Sequence, residues 1–218
     1  MKIIRLFTLF LGFNMSGAIA QTPATQLYQV AKEFGKIASF NANVKVQFLI
    51  PSVQMSDLTG TMSYAKPNKY NIHLTGIAFL PKQNPFDIYR LLADTTQYTA
   101  IAQGNQNVGN HVCQLITVLP LKQTDLMLAK FWVETGTHMV HKTEVTTREQ
   151  GTVETLYTYG AKVNWPLPDR LNVSVDMSRF QVPKMVSADI NSVRKQSLPK
   201  SAKGKIIFNM SNYKIKRG

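Results

Sequence analysis

The sequence predicts an α+β protein in which an antiparallel meander curves toward a barrel or half-barrel. Many short segments alternate apolar with polar residues between turn residues, which is typical of an antiparallel sheet with one face in water. Apolar residues recur at helical spacing in residues 25–38 and 84–94. The prediction is therefore a sheet-dominated domain with one helix before the strands and one among them.

The first helix and the first strand follow each other directly. Residues 25–38 carry the helical pattern, and Thr25 is available as the N-cap. From Val44 to Ile50 the apolar period changes to two, and Pro51 ends the run. We therefore expect a helix that leads into a half-buried strand.

A β-hairpin is predicted next, over residues 60–76, around the corner Lys66-Pro67-Asn68. Both arms alternate, so that the apolar residues of each arm fall on one face. The polar face carries threonine, serine, asparagine, lysine and histidine. The apolar face of the hairpin consists of Met62, Tyr64, Tyr70, Ile72 and Leu74.

The second helix has its own start signals. Asn84 can cap it, Pro85 suits the first helical position, and Asp87 favours the first turn. The helix is apolar over much of its girth and must therefore lie on an apolar surface. Beyond it we expect a meander from Tyr98 with turns at Gly136 and Gly151, a long loop and a last strand, "KIIFNMSNYKI".

Residues 1–20 have the features of a secretory signal peptide. Basic residues precede an apolar run over residues 6–13, and Ala18-Ile19-Ala20 is a small-x-small cleavage site. The apolar run is too short to span a bilayer as a helix. We expect cleavage after this site, a single mature domain over residues 21–218, and export to the periplasm or out of the cell. An uncleaved membrane anchor is the alternative.

The charge of the chain is strongly basic, with 25 lysines and arginines against 12 acids. From Lys184 onward there are nine basic residues and one acid, Asp189. Because an exported protein does not meet nucleic acid, we expect this basic C-terminal region to meet an anionic membrane surface or an acidic protein partner. A solvated basic face without a specific partner is the alternative.

The sequence lacks the motifs of the common enzyme classes. G-x-S-x-G, a glycine-rich phosphate loop and H-E-x-x-H are absent. His73, His111, His138 and His141 are expected to be scattered polar-face or pocket-edge residues and not metal ligands. Cys113, the single cysteine, is expected to be a buried packing residue. We expect no enzymatic activity, metal or cofactor, although a carboxylate dyad stays open because its members can be distant in sequence.

Taken in order, these elements resemble the periplasmic lipoprotein carriers of the LolA/LolB superfamily. The similarity begins at "SFNANVKVQF" and is sharpest at "GTMSYAKPNKYNIHLT", where the family has a glycine, an alternating strand, a basic-Pro-Asn corner and a second strand. It resumes at "NPFDIYRLLA", which is similar to the family's lid helix, and at "FWVETGTHMVHKTEVTTREQGTVETLYTY", which is similar to its late meander. No single motif is diagnostic.

The resemblance implies an incomplete antiparallel β-barrel, or half-barrel, with helices covering its concave face. Members of the family shield the acyl chains of lipoproteins that cross the periplasm. The apolar faces of the strands and of the lid helix would then bind lipid. Alternatively, the same side chains pack against the helices as ordinary core. The lipid-binding residues that the resemblance implies are Val44, Val46, Phe48, Met62, Tyr64, Tyr70, Ile72, Leu74, Phe86, Tyr89 and Leu92.

The sequence departs from the carriers at two places. The family has an arginine where this chain has Lys66, and that arginine holds the lid through backbone carbonyls. Lysine keeps the charge but lacks the planar fork, so Lys66 is either a weaker lid latch or a solvated turn residue. Only "GIAFLPKQ" separates the hairpin from the lid helix, where the carriers insert a further strand pair and a short helix. The cavity is therefore reshaped, or the ligand is not a triacylated lipoprotein.

Two functions are compatible with the sequence. The first is a monomeric periplasmic carrier that shields the acyl chains of lipoproteins or other lipids without covalent chemistry. The alternative is an envelope-stress regulatory protein that senses lipid or mislocalised lipoprotein and signals to a membrane partner. Transfer of lipoprotein between membranes would favour the carrier, and co-purification of an inner-membrane regulator would favour the alternative.

Overall fold

A computed structural model describes residues 22–50, 56–67, 69–75, 87–149, 151–160, 165–176 and 203–218. The predicted signal peptide, Phe86, and the predicted capping residues Asn84 and Pro85 lie outside these ranges. Within them the elements are α1 (Pro23–Gly35), β1 (Ile37–Leu49), β2 (Leu58–Ala65), β3 (Lys69–Leu74), α2 (Asp87–Ala93), β4 (Tyr98–Val108), β5 (His111–Pro120), β6 (Leu126–Glu134), β7 (Val140–Thr147), β8 (Gly151–Thr158), β9 (Arg170–Asp176) and β10 (Lys203–Arg217).

The strands form one antiparallel sheet in the order β3-β2-β1-β10-β9-β8-β7-β6-β5-β4. Strands that follow each other in the chain pair in the sheet, except β3 and β4, and β10 lies between β1 and β9 and pairs with both. β3 and β4 are the two edges, so the sheet is open. The predicted α+β class and the antiparallel meander are confirmed, and the open sheet agrees with an incomplete barrel.

β10 pairs with β1 over almost the whole length of both strands. Phe40 lies opposite Ile215, and Phe48 lies opposite Ile206. On its other side β10 pairs with β9, where Ile206 lies opposite Val173. The last predicted strand is confirmed, and it lies in the interior of the sheet because both of its edges are hydrogen-bonded.

α1 begins and ends earlier than the sequence indicated. The N-cap is Thr22 and not Thr25: the Oγ1 of Thr22 accepts a hydrogen bond from the backbone N–H of Thr25 at 3.2 Å. Pro23 at the first helical turn fits this start, because its missing N–H has no helical partner to lose. The helix ends at Gly35, and Ile37, which the helical pattern included, begins β1.

α2 ends at Ala93, one residue before the end of the segment with helical spacing. Asp94 follows the helix, and its carboxylate accepts hydrogen bonds from the backbone N–H of Thr96 at 3.1 Å and from the Thr96 hydroxyl at 2.6 Å. This local capture of the backbone by an aspartate favours a turn over another helical residue. Neither α1 nor α2, the helices of the described ranges, is long and apolar enough to cross a membrane.

The buried side chains form two main clusters. Strands β1, β2, β3 and β10 supply most of the first, and Phe34 of α1 belongs to it. The second contains Leu27, Val30 and Ala31 of α1, Leu92 of α2, and residues of β4 to β7. α1 therefore contributes to both clusters and connects the two halves of the sheet.

Gly60 marks a close approach between β2 and β3. It lies opposite Leu74, and a Cβ at this position would lie 1.9 Å from the backbone oxygen of His73. No larger residue fits without separating the two strands. This explains in physical terms why the hairpin that carries the predicted apolar face begins with a glycine.

Candidate functional site

The predicted apolar face of the hairpin is confirmed as a geometric feature. Met62 lies directly opposite Ile72, and Tyr64 lies opposite Tyr70. Cross-strand partners point to the same side of a sheet, so the apolar residues of both arms share one face. β1 continues this face, because Tyr64 also lies opposite Phe40.

Most of the residues predicted to bind lipid come together in the first cluster. Its buried members include six of them, and three more are partly buried against it. Leu92 is fully buried in the second cluster, and Phe86 lies outside the described residues. The buried six are Val44, Val46, Phe48, Met62, Tyr64 and Leu74, and the partly buried three are Tyr70, Ile72 and Tyr89.

Phe34 is the side chain that joins the helices to this face. Its ring stacks on Tyr89 of α2 with centroids 4.1 Å apart and an interplanar angle of 5°. The same ring contacts Tyr64 of β2 at 5.2 Å. Tyr64 in turn lies 5.6 Å from Phe40. One aromatic chain therefore runs from α2 through α1 to the apolar face of the sheet.

Sequence reasoning missed several residues of the site, among them Phe40 and Tyr213. Phe40 is 1% exposed and lies 5.7 Å from Tyr213 of β10. Phe40 and Ala42 continue the alternation of Val44 backward, so extending the first strand in the sequence would have found Phe40. Tyr213 comes from a strand far along the chain, and its place beside Phe40 depends on the pairing of β1 with β10.

Two tyrosine hydroxyls bond to backbone carbonyls in the interior. The hydroxyl of Tyr213 donates to the carbonyl oxygen of Pro168 at 2.7 Å, and that of Tyr159 donates to Val140 at 2.8 Å. Burial raises the pKa of Tyr70 to about 12 and raises the pKa values of Tyr89 and Tyr213 further. These phenols are therefore neutral at ordinary pH, which suits the binding of an uncharged apolar chain.

Lys66 contacts α1. Its Nζ donates to the backbone oxygen of Gly35, at the C-terminal end of α1. Its backbone N–H also donates to Ala38 at 2.9 Å. The resemblance implied a latch to the second helix, whereas this bond ties the hairpin corner to the first. A cation at the carbonyl end of a helix is favourable because the helix dipole is negative there.

The basic residues of β10 lie on the surface. Five of the nine predicted for the C-terminal region are described, and all five are exposed. The Arg217 guanidinium lies 5.3 Å from the ring centroid of Trp165. On the neighbouring β1, Lys45 pairs with Asp57 at 2.8 Å. The exposed five are Lys203, Lys205, Lys214, Lys216 and Arg217.

Two of the four histidines come together with an acid, so the expectation that all four are scattered is wrong for this pair. The rings of His111 and His141 stack with centroids 3.8 Å apart, and both contact the carboxylate of Glu134. A hydrogen bond from Thr137, together with the two histidines, outweighs burial and lowers the pKa of Glu134 to about 2. Burial, followed by repulsion from His111, lowers the pKa of His141.

A shallow surface depression of about 380 Å³ lies where the start of α1 meets the end of α2. Its lining includes a tyrosine and an alanine but also threonines and an aspartate, so it lacks the apolar lining that an acyl chain requires. It lies away from the apolar face described above. The lining residues are Thr25, Tyr28, Ala93, Asp94 and Thr95.

An open antiparallel sheet with few helices is consistent with the LolA-like fold. The same fold is found in a LolA superfamily protein from Nitrosomonas europaea, with a TM-score of 0.53 and 12% identity over 90% of this chain and 94% of that chain. A domain from Vibrio parahaemolyticus described as outer membrane lipoprotein-sorting gives a TM-score of 0.55 and 8% identity over 89% and 92%.

A DUF1329 family protein from Desulfovibrio piger has a TM-score of 0.56 and 11% identity over 89% of this chain and 94% of that chain. No family model and no curated protein matches the sequence. The resemblance to the carriers is therefore confirmed at the level of the fold. At these identities the likeness shows nothing finer than the fold.

Proposed function

We propose that this protein is a periplasmic carrier that shields the acyl chains of lipoproteins or other lipids in its apolar half-barrel. The single observation that carries the proposal is the continuous apolar face of β1, β2, β3 and β10, against which Phe34 of α1 and Tyr89 of α2 pack. An apolar face of this extent is unfavourable in contact with water, so another apolar surface must cover it. The helices cover the concave side of the sheet in the empty state, and acyl chains replace part of their contacts in the loaded state.

The free energy of acyl-chain burial is large enough to drive such an exchange. Each methylene kept from water contributes about 0.8 kcal/mol, so a chain of about 16 carbons contributes on the order of 12 kcal/mol. The contacts of α2 with the interior oppose this exchange. The stack of Tyr89 on Phe34 contributes about 0.5–1.5 kcal/mol beyond its buried area, and burial of Leu92 contributes about 1.5–3 kcal/mol.

α2 is the element best suited to move. It is seven residues long, ends at a turn held by Asp94, and contacts the first cluster through Tyr89. Its displacement breaks no strand pairing. In this mechanism Lys66 holds the hairpin corner against α1 while α2 opens. The proposed acyl-binding surface consists of Val44, Val46, Phe48, Met62, Tyr64, Tyr70, Ile72, Leu74, Phe86, Tyr89 and Leu92.

The basic surface of β10 supplies the docking function. Lys203, Lys205, Lys214 and Lys216 would approach an anionic membrane and bring the carrier to its donor or acceptor. Each basic residue near such a surface contributes roughly 1 kcal/mol of binding free energy. Because salt screens this attraction, binding should weaken as the ionic strength rises. Export to the periplasm with loss of residues 1–20 is part of the same proposal.

Mass spectrometry of lipid extracted from the exported, purified protein tests the proposal directly. We expect stoichiometric acylated lipid or lipoprotein, and uptake of a fluorescent fatty acid by protein that has been stripped of lipid. A vesicle-to-vesicle transfer assay with a purified lipoprotein then separates a carrier from a sensor, because a sensor binds lipid without transferring it. Protein that carries no lipid and takes up no fatty acid would overturn the proposal.

A further inference from the structure

We propose that His111, Glu134 and His141 form a binding site for one divalent transition-metal ion of the zinc type. The three side chains come from the start of β5, the end of β6 and the second residue of β7. Their ligand atoms all lie within 4.8 Å of one another. They are assembled by strand pairing, which is a rigid support for a metal site.

The two imidazoles approach different oxygens of the same carboxylate. Nδ1 of His111 lies 3.0 Å from Oε1 of Glu134, and Nε2 of His141 lies 3.4 Å from Oε2. Thr137 donates to Oε2, the oxygen that His141 also approaches, and thereby helps to orient the carboxylate. A group that orients a ligating carboxylate through a hydrogen bond is the usual companion of a metal ligand.

The burial of the three residues differs in a way that suits a metal site. The side chain of His141 is 6% exposed, that of Glu134 is 25% exposed, and that of His111 is 48% exposed. His141 is fixed in place by packing, with its ring edge-on to Tyr159 at 5.6 Å. His111 is half exposed to solvent, so an ion can reach the site from that side.

The donor set selects the class of ion. Two imidazole nitrogens and one carboxylate oxygen suit zinc, cobalt, nickel and copper, whereas calcium and magnesium prefer sites built from oxygen alone. Three protein ligands leave at least one coordination position for water or another donor. The same three ligand types hold zinc in several enzymes, but a ligand set alone is no argument for catalysis here.

Closure of the site needs a small movement that the structure allows. With metal–ligand bonds of about 2.0–2.1 Å, the ligand atoms of a tetrahedral site lie about 3.4 Å apart. The ligand atoms must therefore approach by up to about 1.4 Å, and the stacked rings must tilt so that both lone pairs meet at one point. Rotation of the half-exposed His111 supplies both changes without moving the buried His141.

The site is separate from the proposed lipid-binding face, so the two proposals can fail independently. Glu134 is two residues from Trp132, which packs with Cys113 and Leu115 in a small cluster of its own. Neither main cluster contains these residues. A bound ion would connect β5, β6 and β7 beside the turn at residues 135–139, and would stabilise this end of the sheet.

Zinc binding to the mature chain without a polyhistidine tag tests the proposal. We expect one equivalent of Zn²⁺ by calorimetry, and a rise in Tm of about 5–10 °C when free zinc exceeds the Kd by about 100-fold. One equivalent of Co²⁺ should give the visible absorption of a four- or five-coordinate ion. Mg²⁺ and Ca²⁺ should do neither.

His111→Ala and Glu134→Gln are the informative variants, and His73→Ala is the matched control on the far edge of the sheet. We expect the affinity for Zn²⁺ to fall by about 100-fold or more in both informative variants and to stay unchanged in the control. His111→Ala should fold normally because its side chain is half exposed, and circular dichroism checks this. Equal zinc affinity in His111→Ala and the unsubstituted protein, or no binding at all, would overturn the proposal.

Discussion

Phe34 and Tyr89 lie with their rings parallel and 4.1 Å apart, and this pair makes a direct aromatic contact between α1 and α2. Phe34 also touches Tyr64 on the sheet. One side chain of α1 therefore connects α2 to the sheet. If α2 moves when lipid binds, this stack is the contact that must break.

Removal of the Tyr89 ring should loosen α2. We expect Tyr89→Ala to lower the free energy of unfolding by about 2–4 kcal/mol, because it removes a partly buried aromatic ring and its stack. It should also speed the uptake of a fluorescent fatty acid in stopped-flow measurements. Tyr28→Ala is the control, because Tyr28 lies on α1 and is 43% exposed. Slower or unchanged uptake in Tyr89→Ala would show that α2 does not gate the interior.

A covalent tether between α2 and β3 should block uptake. In a Cys113→Ser background, a cysteine pair is placed with its Cα atoms within about 4.4–6.8 Å, the range for an unstrained disulfide. We expect no uptake of the fluorescent fatty acid in the oxidised protein and full recovery after reduction.

A second disulfide controls for crosslinking itself. Asn107 and Val112 are exposed cross-strand partners beside the turn that joins β4 to β5. Cysteines at these two positions should crosslink and leave uptake unchanged. Normal uptake in a protein whose α2 tether has been verified by mass would mean that α2 is fixed core.

Lys66 should act through its bond to Gly35. We expect Lys66→Met to lower the free energy of unfolding by about 0.5–1.5 kcal/mol, because it removes one hydrogen bond at an exposed site. Lys66→Arg should retain most of the stability, because arginine can also donate to a carbonyl. Lys69→Met, at the exposed start of β3, is the charge-matched control. Urea unfolding measures all three, and equal loss in Lys66→Met and Lys69→Met would assign the effect to charge alone.

The basic face of β10 should bind anionic vesicles in a salt-sensitive way. We expect cosedimentation with vesicles that contain phosphatidylglycerol at low salt, and its loss as added salt shortens the Debye length from about 30 Å to about 8 Å. Changing Lys214, Lys216 and Arg217 to glutamine should weaken binding at every salt concentration. Vesicles of phosphatidylcholine are the control. Binding that persists at high salt, or that the triple variant retains, would point to another surface.

Glu144 should contribute stability that depends on pH. Partial burial raises its pKa, but hydrogen bonds from Lys142 at 3.0 Å and Lys130 at 3.4 Å outweigh burial, and the net pKa is lowered. Since the folded protein favours the carboxylate, the contribution is present above the ordinary value of 4.5 and is lost as pH falls through the lower folded value.

Urea unfolding from neutral pH down to about pH 3 measures this contribution. Glu144→Gln should be less stable than the unsubstituted protein at neutral pH, and the difference should shrink as the pH falls. Glu149→Gln, at an exposed position after β7, is the control. A difference that stays constant with pH would show that packing, and not charge, accounts for the role of Glu144.

The local features of the fold were predictable because they depend on neighbouring residues. Alternation places Met62 and Tyr64 on one face. The position of the corner at Lys66 determines which residue of the next strand lies opposite each of them. The errors concern contacts between distant residues. His111 and His141 meet because β5 and β7 both pair with β6. Tyr213 meets Phe40 because β10 pairs with β1. No local pattern states which strands are neighbours.

The insertion of β10 between β1 and β9 also constrains the order in which the molecule can assemble. Phe40 and its partner Ile215 are joined only after nearly the whole chain has been made. Until then the hairpin side of the sheet has no strand that connects it to the meander, and its apolar face remains accessible to water. Contacts of such high sequence separation form slowly, because the entropy of closing a long loop is lost first. A nascent chain of this protein would therefore stay unfolded for longer than its local hairpins suggest, and a chaperone that recognises exposed apolar strands would have time to bind it.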